Sequence, residues 1–267
     1  MVEAPDGVML CLQEWGNASG PEIVFIHGYS QSHLSWQRQF EGELAATFRL
    51  ITYDLRGHGD SGKPLDLASY RESERWAQDL NSVLGALRLK RPVLVGWSYA
   101  GRVICDYLLS YGDRSIAGIN FVCARTKNSP EGDSPGGKFI SAMGSDELTT
   151  NIESTLAFLR LCTTQPLPTA EFETILAFNM VTPAQVRAHM QGRSTPYEDA
   201  LRSLRVPVLV THGEKDQIVS PSIGRYTASV IPHAVTSFYP EAGHMPFWED
   251  APRFNRELAA FVDRAQR

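Results

Sequence analysis

The sequence predicts an α/β protein: a mainly parallel sheet with helices on both faces, interrupted once by an all-helical insertion. Three observations carry this prediction. Short apolar runs such as Ile23 to Ile26, Leu50 to Tyr53 and Val93 to Val95 suit strands buried on both faces of a parallel sheet. Runs at helical spacing separate them with short connections, the alternation that builds such a sheet. From about Phe139 to Arg193 no run reads as a strand, and the alternation then resumes.

Each element follows from its own residues. Val8 to Glu14 alternates apolar and polar in part and stops at Trp15-Gly16-Asn17, which suits an antiparallel edge strand. Ile23 to Ile26 is the first buried strand, and helical spacing follows around Trp36 to Phe48. Leu50 to Tyr53 is the next strand. Gly57, Gly59 and Gly62 then make Asp54 to Pro64 a loop. Ser73 to Leu89 reads as a helix with Trp76, Leu80, Val83, Leu84 and Leu87 on one face. Val93 to Val95 is the third buried strand, Val103 to Leu109 an amphipathic run, and Ile116 to Cys123 the fourth strand.

Lys127 to Lys138 is rich in Gly, Pro, Ser and charge and marks a boundary. The core is therefore expected over residues 1–126 and 194–267, with a helical cap over 127–193. Within the cap, Ser145 to Thr163, Thr169 to Asn179 and Thr182 to Gln191 read as helices, the last with Thr182 as cap and Pro183 in the first turn. Val208 to Thr211 (strand), Pro221 to Val230 (helix), Val235 to Tyr239 (strand) and Pro252 to Arg264 (helix) close the chain.

Composition narrows the function classes. A chain of 267 residues can bury a full core as one α/β domain with an insertion. Its net charge of -5, with scattered basic residues, gives no footprint for nucleic acid. No apolar stretch is long enough for a bilayer, so no membrane partner is expected. Met1 to Gly7 lacks a signal pattern, and a cytoplasmic location is the default expectation. Cys11, Cys105, Cys123 and Cys162 are far apart without metal-ligand spacing, so free thiols are expected, with no metal and no organic cofactor. A monomer or a homodimer acting on a small molecule fits these totals.

The chemistry concentrates in loops that follow strands, where α/β sheets collect ligands. Gly96-Trp97-Ser98-Tyr99-Ala100-Gly101 places a serine at the tip of a strand and the mouth of a helix. Small flanking residues let strand and helix touch, and the serine hydroxyl is pushed outward. Alone, the stretch is equally a tight strand–helix turn. Ser98 as a nucleophile needs a base, and His244, after the last strand, is the candidate. A histidine near ~6.5 would give activity that falls on the acid side. The imidazole needs an orienting acid, and Asp216 follows the strand Val208 to Thr211; Glu214 is its rival. The order Ser98, Asp216, His244 is a known triad order. The backbone N–H groups of Tyr99 and Tyr29 are the candidate oxyanion donors, with Gly28 turning the chain and His27 bracing the loop.

His27-Gly28, Asp54-Leu55-Arg56-Gly57-His58-Gly59-Asp60-Ser61, Gly96 to Gly101, Gly213 to Asp216 and Gly243-His244 occur in one order. On these motifs the chain resembles the α/β-hydrolase superfamily over nearly its whole length, in the subgroup with a helical cap. The resemblance implies eight mainly parallel strands, Ser98, Asp216 and His244 as triad, Tyr29 and Tyr99 as oxyanion donors, and a structural role for Asp54 to Ser61. Ala100 departs from the glycine usual at its position. Relatives that open epoxides or remove halide carry aspartate where this chain has Ser98, so serine points to acyl chemistry. Hydrolysis of carboxylic esters of small, fairly apolar substrates is the leading expectation. Hydrolysis of a carbon–carbon bond, perhydrolase, lactonase or amidase activity, and a ligand-sensing receptor are the alternatives. Trp97, Phe139, Met143, Phe158, Met180 and Met245 are candidate pocket residues. Trp97 could instead pack under the turn, and the cap residues could form the buried face of amphipathic helices.

Overall fold

The computed structural model describes residues 1–127, 134–193 and 196–267. Its strands are β1 (Val2–Glu3), β2 (Met9–Leu10), β3 (Leu12–Gly16), β4 (Glu22–Ile26), β5 (Arg49–Tyr53), β6 (Val93–Trp97), β7 (Gly118–Val122), β8 (Val208–Gly213) and β9 (Val235–Tyr239). The main sheet has the order β3-β5-β4-β6-β7-β8-β9. Only β3 runs antiparallel, against β5, and every other neighbouring pair is parallel.

Helices α1 (Gln37–Phe40), α2 (Leu44–Thr47), α3 (Ala68–Arg71), α4 (Ser73–Ala86) and α5 (Ala100–Tyr111) lie among the first strands. Helices α6 (Gly137–Ala142), α7 (Leu148–Leu161), α8 (Thr169–Met180), α9 (Ala184–His189) and α10 (Glu198–Arg202) fall between β7 and β8. Helix α11 (Pro221–Val230) joins β8 to β9, and α12 (Pro246–Glu249) and α13 (Ala251–Ala265) end the chain. The α/β class with a mostly parallel sheet and a helical block is thus as expected.

The apolar runs became strands because both faces are covered. Ile23, Val24, Phe25, Ile26, Val93, Leu94 and Val95 have no exposed surface. Helix α4 turns Trp76, Leu80 and Val83 into this core; a fully buried Leu or Val side chain is worth roughly 1.5–3 kcal/mol. Chain order reverses between β4 and β6: β5 lies on one side of β4 and β6 on the other. Such a switch point opens a crevice at the carboxyl ends of the strands.

Several expectations need correction. Among the described residues the main sheet has seven strands rather than eight, because β1 and β2 pair only with each other. The single strand expected over Val8 to Glu14 is split. The Cys11 amide is diverted to Ser61 Oγ at 2.8 Å, which interrupts the run between β2 and β3. The helix expected over Trp36 to Phe48 is a 3-10 turn at His33–Trp36 followed by α1 and α2. Gly42, a poor helix former, lies in the break, and its amide bonds Gln39 O instead of continuing the helix. Helix α7 starts at Leu148 rather than Ser145, because the Glu147 carboxylate accepts the amides of Thr149 and Thr150 and caps it. Thr182 does not cap α9: Pro183 holds that place, and Thr182 Oγ1 has no hydrogen bond among the described residues. The expected boundary segment Lys127 to Lys138 and the restart at residue 194 fall partly on residues 128–133 and 194–195, outside the described residues. The four cysteines are free, and no described helix is long and apolar enough to cross a membrane.

Candidate active site

Ser98 lies between β6 and α5 with φ at +57°, a left-handed conformation that costs a non-glycine residue of order 1–3 kcal/mol. The surrounding backbone holds it there. Its amide donates to Val122 O at 3.0 Å, and its carbonyl accepts the amides of Gly101 and Arg125 at 3.0 and 2.9 Å. Small residues allow this approach: a Cβ on Gly96 would lie 2.5 Å from Ile104 Cδ1, and one on Gly101 2.9 Å from Ala124 Cβ.

Asp216 follows β8 and is buried. Its Oδ1 accepts the amides of Ile218 and Val219 at 2.8 and 2.9 Å. Its Oδ2 lies 2.7 Å from His244 Nδ1. Burial alone would raise the carboxyl pKa, but the His244 charge and hydrogen bonds from His212 and His244 outweigh it. The group is held well below the usual carboxylate range. Glu214 faces away and pairs with Arg225 at 2.7 Å. His212 is a further partner of the acid that no sequence motif assigns. Its Nε2 sits 3.0 Å from Val219 O and 3.3 Å from Asp216 Oδ2, so one N–H serves both. Its only sequence signal is its place at the end of a strand, four residues before the acid.

His244 has no exposed surface. Its amide donates to Cys162 O at 2.9 Å, and its carbonyl accepts Trp97 Nε1–H at 2.8 Å. Trp97 immediately precedes Ser98, so this bond ties the histidine loop to the serine turn. With Nδ1 facing Asp216, His244 Nε2 is buried and has no hydrogen-bond partner among the described residues. Ser98 Oγ and His244 Nε2 are not hydrogen-bonded; bonds of this type often tighten only in a substrate complex.

The loop after β4 comes against the serine. A Cβ on Gly28 would lie 3.1 Å from Ser98 Cβ, so glycine is needed here for close approach. The positive φ in this turn belongs to Ser30, at +61°, and not to Gly28. His58 Nε2 accepts the Ser30 amide at 3.1 Å, and His27 Nε2 accepts the Leu55 amide at 3.0 Å. Both rings must be neutral to accept, and burial pushes His27 down to about 4 and His58 down to about 3. His27 braces the loop as expected. The amides of Ser98 and Ser30 are taken, while those of Tyr29 and Tyr99 make no hydrogen bond among the described residues.

Comparison with known proteins now identifies the architecture. A profile described as the alpha/beta hydrolase family matches residues 23–257. The chain belongs to that family. It is 27% identical to a bifunctional esterase/perhydrolase, DCH, from Acinetobacter calcoaceticus, over 98% of each chain. Among solved structures, a candidate aryl esterase from Burkholderia cenocepacia is 36% identical with a TM-score of 0.96, covering 99% of this chain and 98% of that one. The esterase RhEst1 from Rhodococcus sp. ECU1013 is 33% identical with a TM-score of 0.92, covering 98% and 97%.

Within this family member, Ala100 is fully buried, and Gly96 and Gly101 on either side of the turn are where an added Cβ would meet a neighbour at under 3 Å. The Asp54 to Ser61 loop is cross-braced. Asp54 accepts the His33 and Asp60 amides at 2.8 and 3.0 Å, and Arg56 grips Asp79 with two bonds of 2.7 Å. Among the described residues, two groups of metal-type donors lie within 4.8 Å, namely Cys123, Asp216 and His244, and Cys11, Asp54 and Asp60. In each group the buried carboxylate is already engaged by hydrogen bonds.

A cavity of about 540 Å³ opens at Ser98. Tyr29, Tyr99, Ile218 and Val219 wall it from the sheet side, and Ile140, Phe158 and Met190 from the helical block. Arg102, Arg125 and Lys138 add cationic side chains. Of the expected pocket residues, only Phe158 lines this cavity. Trp97 packs beneath the turn, with its ring centroid 5.0 Å from Phe247. Met143 and Met245 are buried elsewhere in the core. Phe139 packs on the core with Lys138 over its ring, and Met180 Sδ lies by Arg187 at 3.8 Å. Amphipathic spacing in the helical block gives its apolar residues a buried face without saying against what they pack. Of the cavity residues that the sequence does not single out, Ile218 and Val219 lie nearest a sequence signal, just after Asp216.

Proposed function

We propose that this protein is a serine hydrolase that cleaves carboxylic esters through an acyl-enzyme on Ser98. The observation that carries the reading is the 2.7 Å bond between Asp216 and His244, in a loop tied by Trp97 to the strained Ser98 turn. His244 Nε2 takes the proton as Ser98 Oγ attacks the ester carbonyl. The carbonyl oxygen gains charge facing the amides of Tyr29 and Tyr99, each donor worth roughly 3–4 kcal/mol. As the intermediate collapses, His244 returns the proton to the departing alcohol. Water, deprotonated by the same imidazole, then attacks the acyl group and frees Ser98. Asp216 keeps the Nδ1–H tautomer and stabilises the imidazolium. Residues 127–193 are read as the cap that shapes the substrate space. The largely apolar walls suit a small, fairly apolar ester.

A second reading has one specific support, the esterase/perhydrolase among the relatives. Hydrogen peroxide would replace water as the second nucleophile, giving a peracid and free Ser98 with no change in the first half-reaction.

The test is fluorophosphonate labelling with mapping of the modified residue, together with turnover of short p-nitrophenyl esters. Labelling at Ser98 is expected, and Ser98→Ala should lose on the order of 10⁶ in kcat. Ester turnover that survives Ser98→Ala overturns the reading. Added peroxide, with peracid as the measured product, decides the second.

A further inference from the structure

The His244 loop is bonded to the helical block, and one carboxylate makes much of the tie. Glu249 Oε1 accepts the amide of Gly243, the residue before His244, at 2.8 Å. Its Oε2 accepts both the amide and the hydroxyl of Thr164, at 2.7 and 2.6 Å. Two residues earlier in that segment, Cys162 O accepts the amide of His244 itself at 2.9 Å. Two successive amides of the histidine loop thus end on groups anchored in segment 162–164. That segment follows directly on α7. Helix α7 also carries Phe158, which lines the cavity one turn before Cys162. The same end of one helix therefore borders the cavity and fixes the base.

We propose that Glu249 is a positioning residue: it holds His244 through the Gly243 amide and couples its place to the last turn of α7. The proposal rests on the serine-hydrolase reading for its kinetic consequence. Glu249 reaches the histidine loop only through main chain and does not border the cavity at Ser98. A carboxylate is required because three donors converge on it from two segments. Glutamine has one acceptor oxygen, so its amide nitrogen would oppose a donor on one side.

The experiment compares wild type, Glu249→Gln and Thr164→Val in the full chain. Sub-ångström displacement of a catalytic group is costly, and Glu249→Gln should lower kcat by about ten- to a hundredfold with KM little changed. Thr164→Val, which removes only the hydroxyl bond, should lower it by a smaller factor in the same sense. The low-field NMR resonance of the His244 Nδ1 proton should shift or broaden in Glu249→Gln while circular dichroism stays native. A lowered melting temperature with kcat and that resonance unchanged would make Glu249 a fold anchor and overturn the proposal. If Glu249→Gln does not fold, Thr164→Val decides: reduced kcat at constant KM supports the coupling, and unchanged kcat refutes it. If wild type neither turns over esters nor labels at Ser98, the serine-hydrolase reading fails instead, and the resonance alone decides whether Glu249 places His244.

Discussion

Replacing Asp216 by Asn tests the site at its most constrained bond. Asp216 Oδ1 is fixed by the amides of Ile218 and Val219 at 2.8 and 2.9 Å, so the asparagine oxygen must take that position. Its NH₂ group then stands where Oδ2 was, 2.7 Å from His244 Nδ1. A donor facing a donor is untenable, so the imidazole shifts its proton to Nε2. Nε2–H cannot accept the Ser98 proton. The change is isosteric and buried, so the fold should persist. The wrong tautomer should lower kcat by about 10⁴, or about 5 kcal/mol of barrier. Initial rates on short p-nitrophenyl acyl esters, with a melting curve as control, measure it. A kcat within tenfold of wild type in a folded Asp216→Asn protein would refute the tautomer argument and with it the assigned role of Asp216.

Two further outcomes follow from neighbouring geometry. Gly28→Ala would place a methyl 3.1 Å from Ser98 Cβ, and the few tenths of an ångström that must yield should cost kcat about tenfold without unfolding the protein; steady-state rates beside a melting curve check this. Asp54 is held down at about 2: burial would raise it, but hydrogen bonds from His33 and the Asp60 amide win. Its folded pKa is therefore below the unfolded one, so its stabilisation is present above about pH 4 and fades between about pH 4 and 2, by about 2 kcal/mol. Urea midpoints across that range should fall more steeply for wild type than for Asp54→Asn, and parallel slopes would contradict this assignment.

Much of the frame was legible because its causes are local. Ile23 to Ile26 and Val93 to Val95 announce strands by being apolar at every position, and they are buried on both faces. Ser98, Asp216 and His244 each follow a strand, so the sequence could single them out as candidates. Breaks were less legible. The amide of Cys11 leaves its strand for Ser61, fifty residues away, and no local pattern records that. The pocket was the least legible part. Phe139, Met143 and Met245 are buried or packed on the core away from the cavity at Ser98, and Met180 is half-buried beside Arg187.

The sequence by itself determined the alternation of strand and helix, the helical insertion, and which side chains sit at strand ends, because hydrophobic period and turn chemistry act over a few residues. Tertiary structure alone decided the rest. It chose Asp216 over Glu214, put the positive φ at Ser30, gave His212 a share in the acid, and joined Glu249 to Thr164. The Asp216 and Glu249 contacts depend on how segments far apart in the chain meet at the sheet's carboxyl edge, and hydrogen bonds such as those of 2.7 Å from His244 to Asp216 and 2.6 Å from Thr164 to Glu249 leave no trace in local spacing.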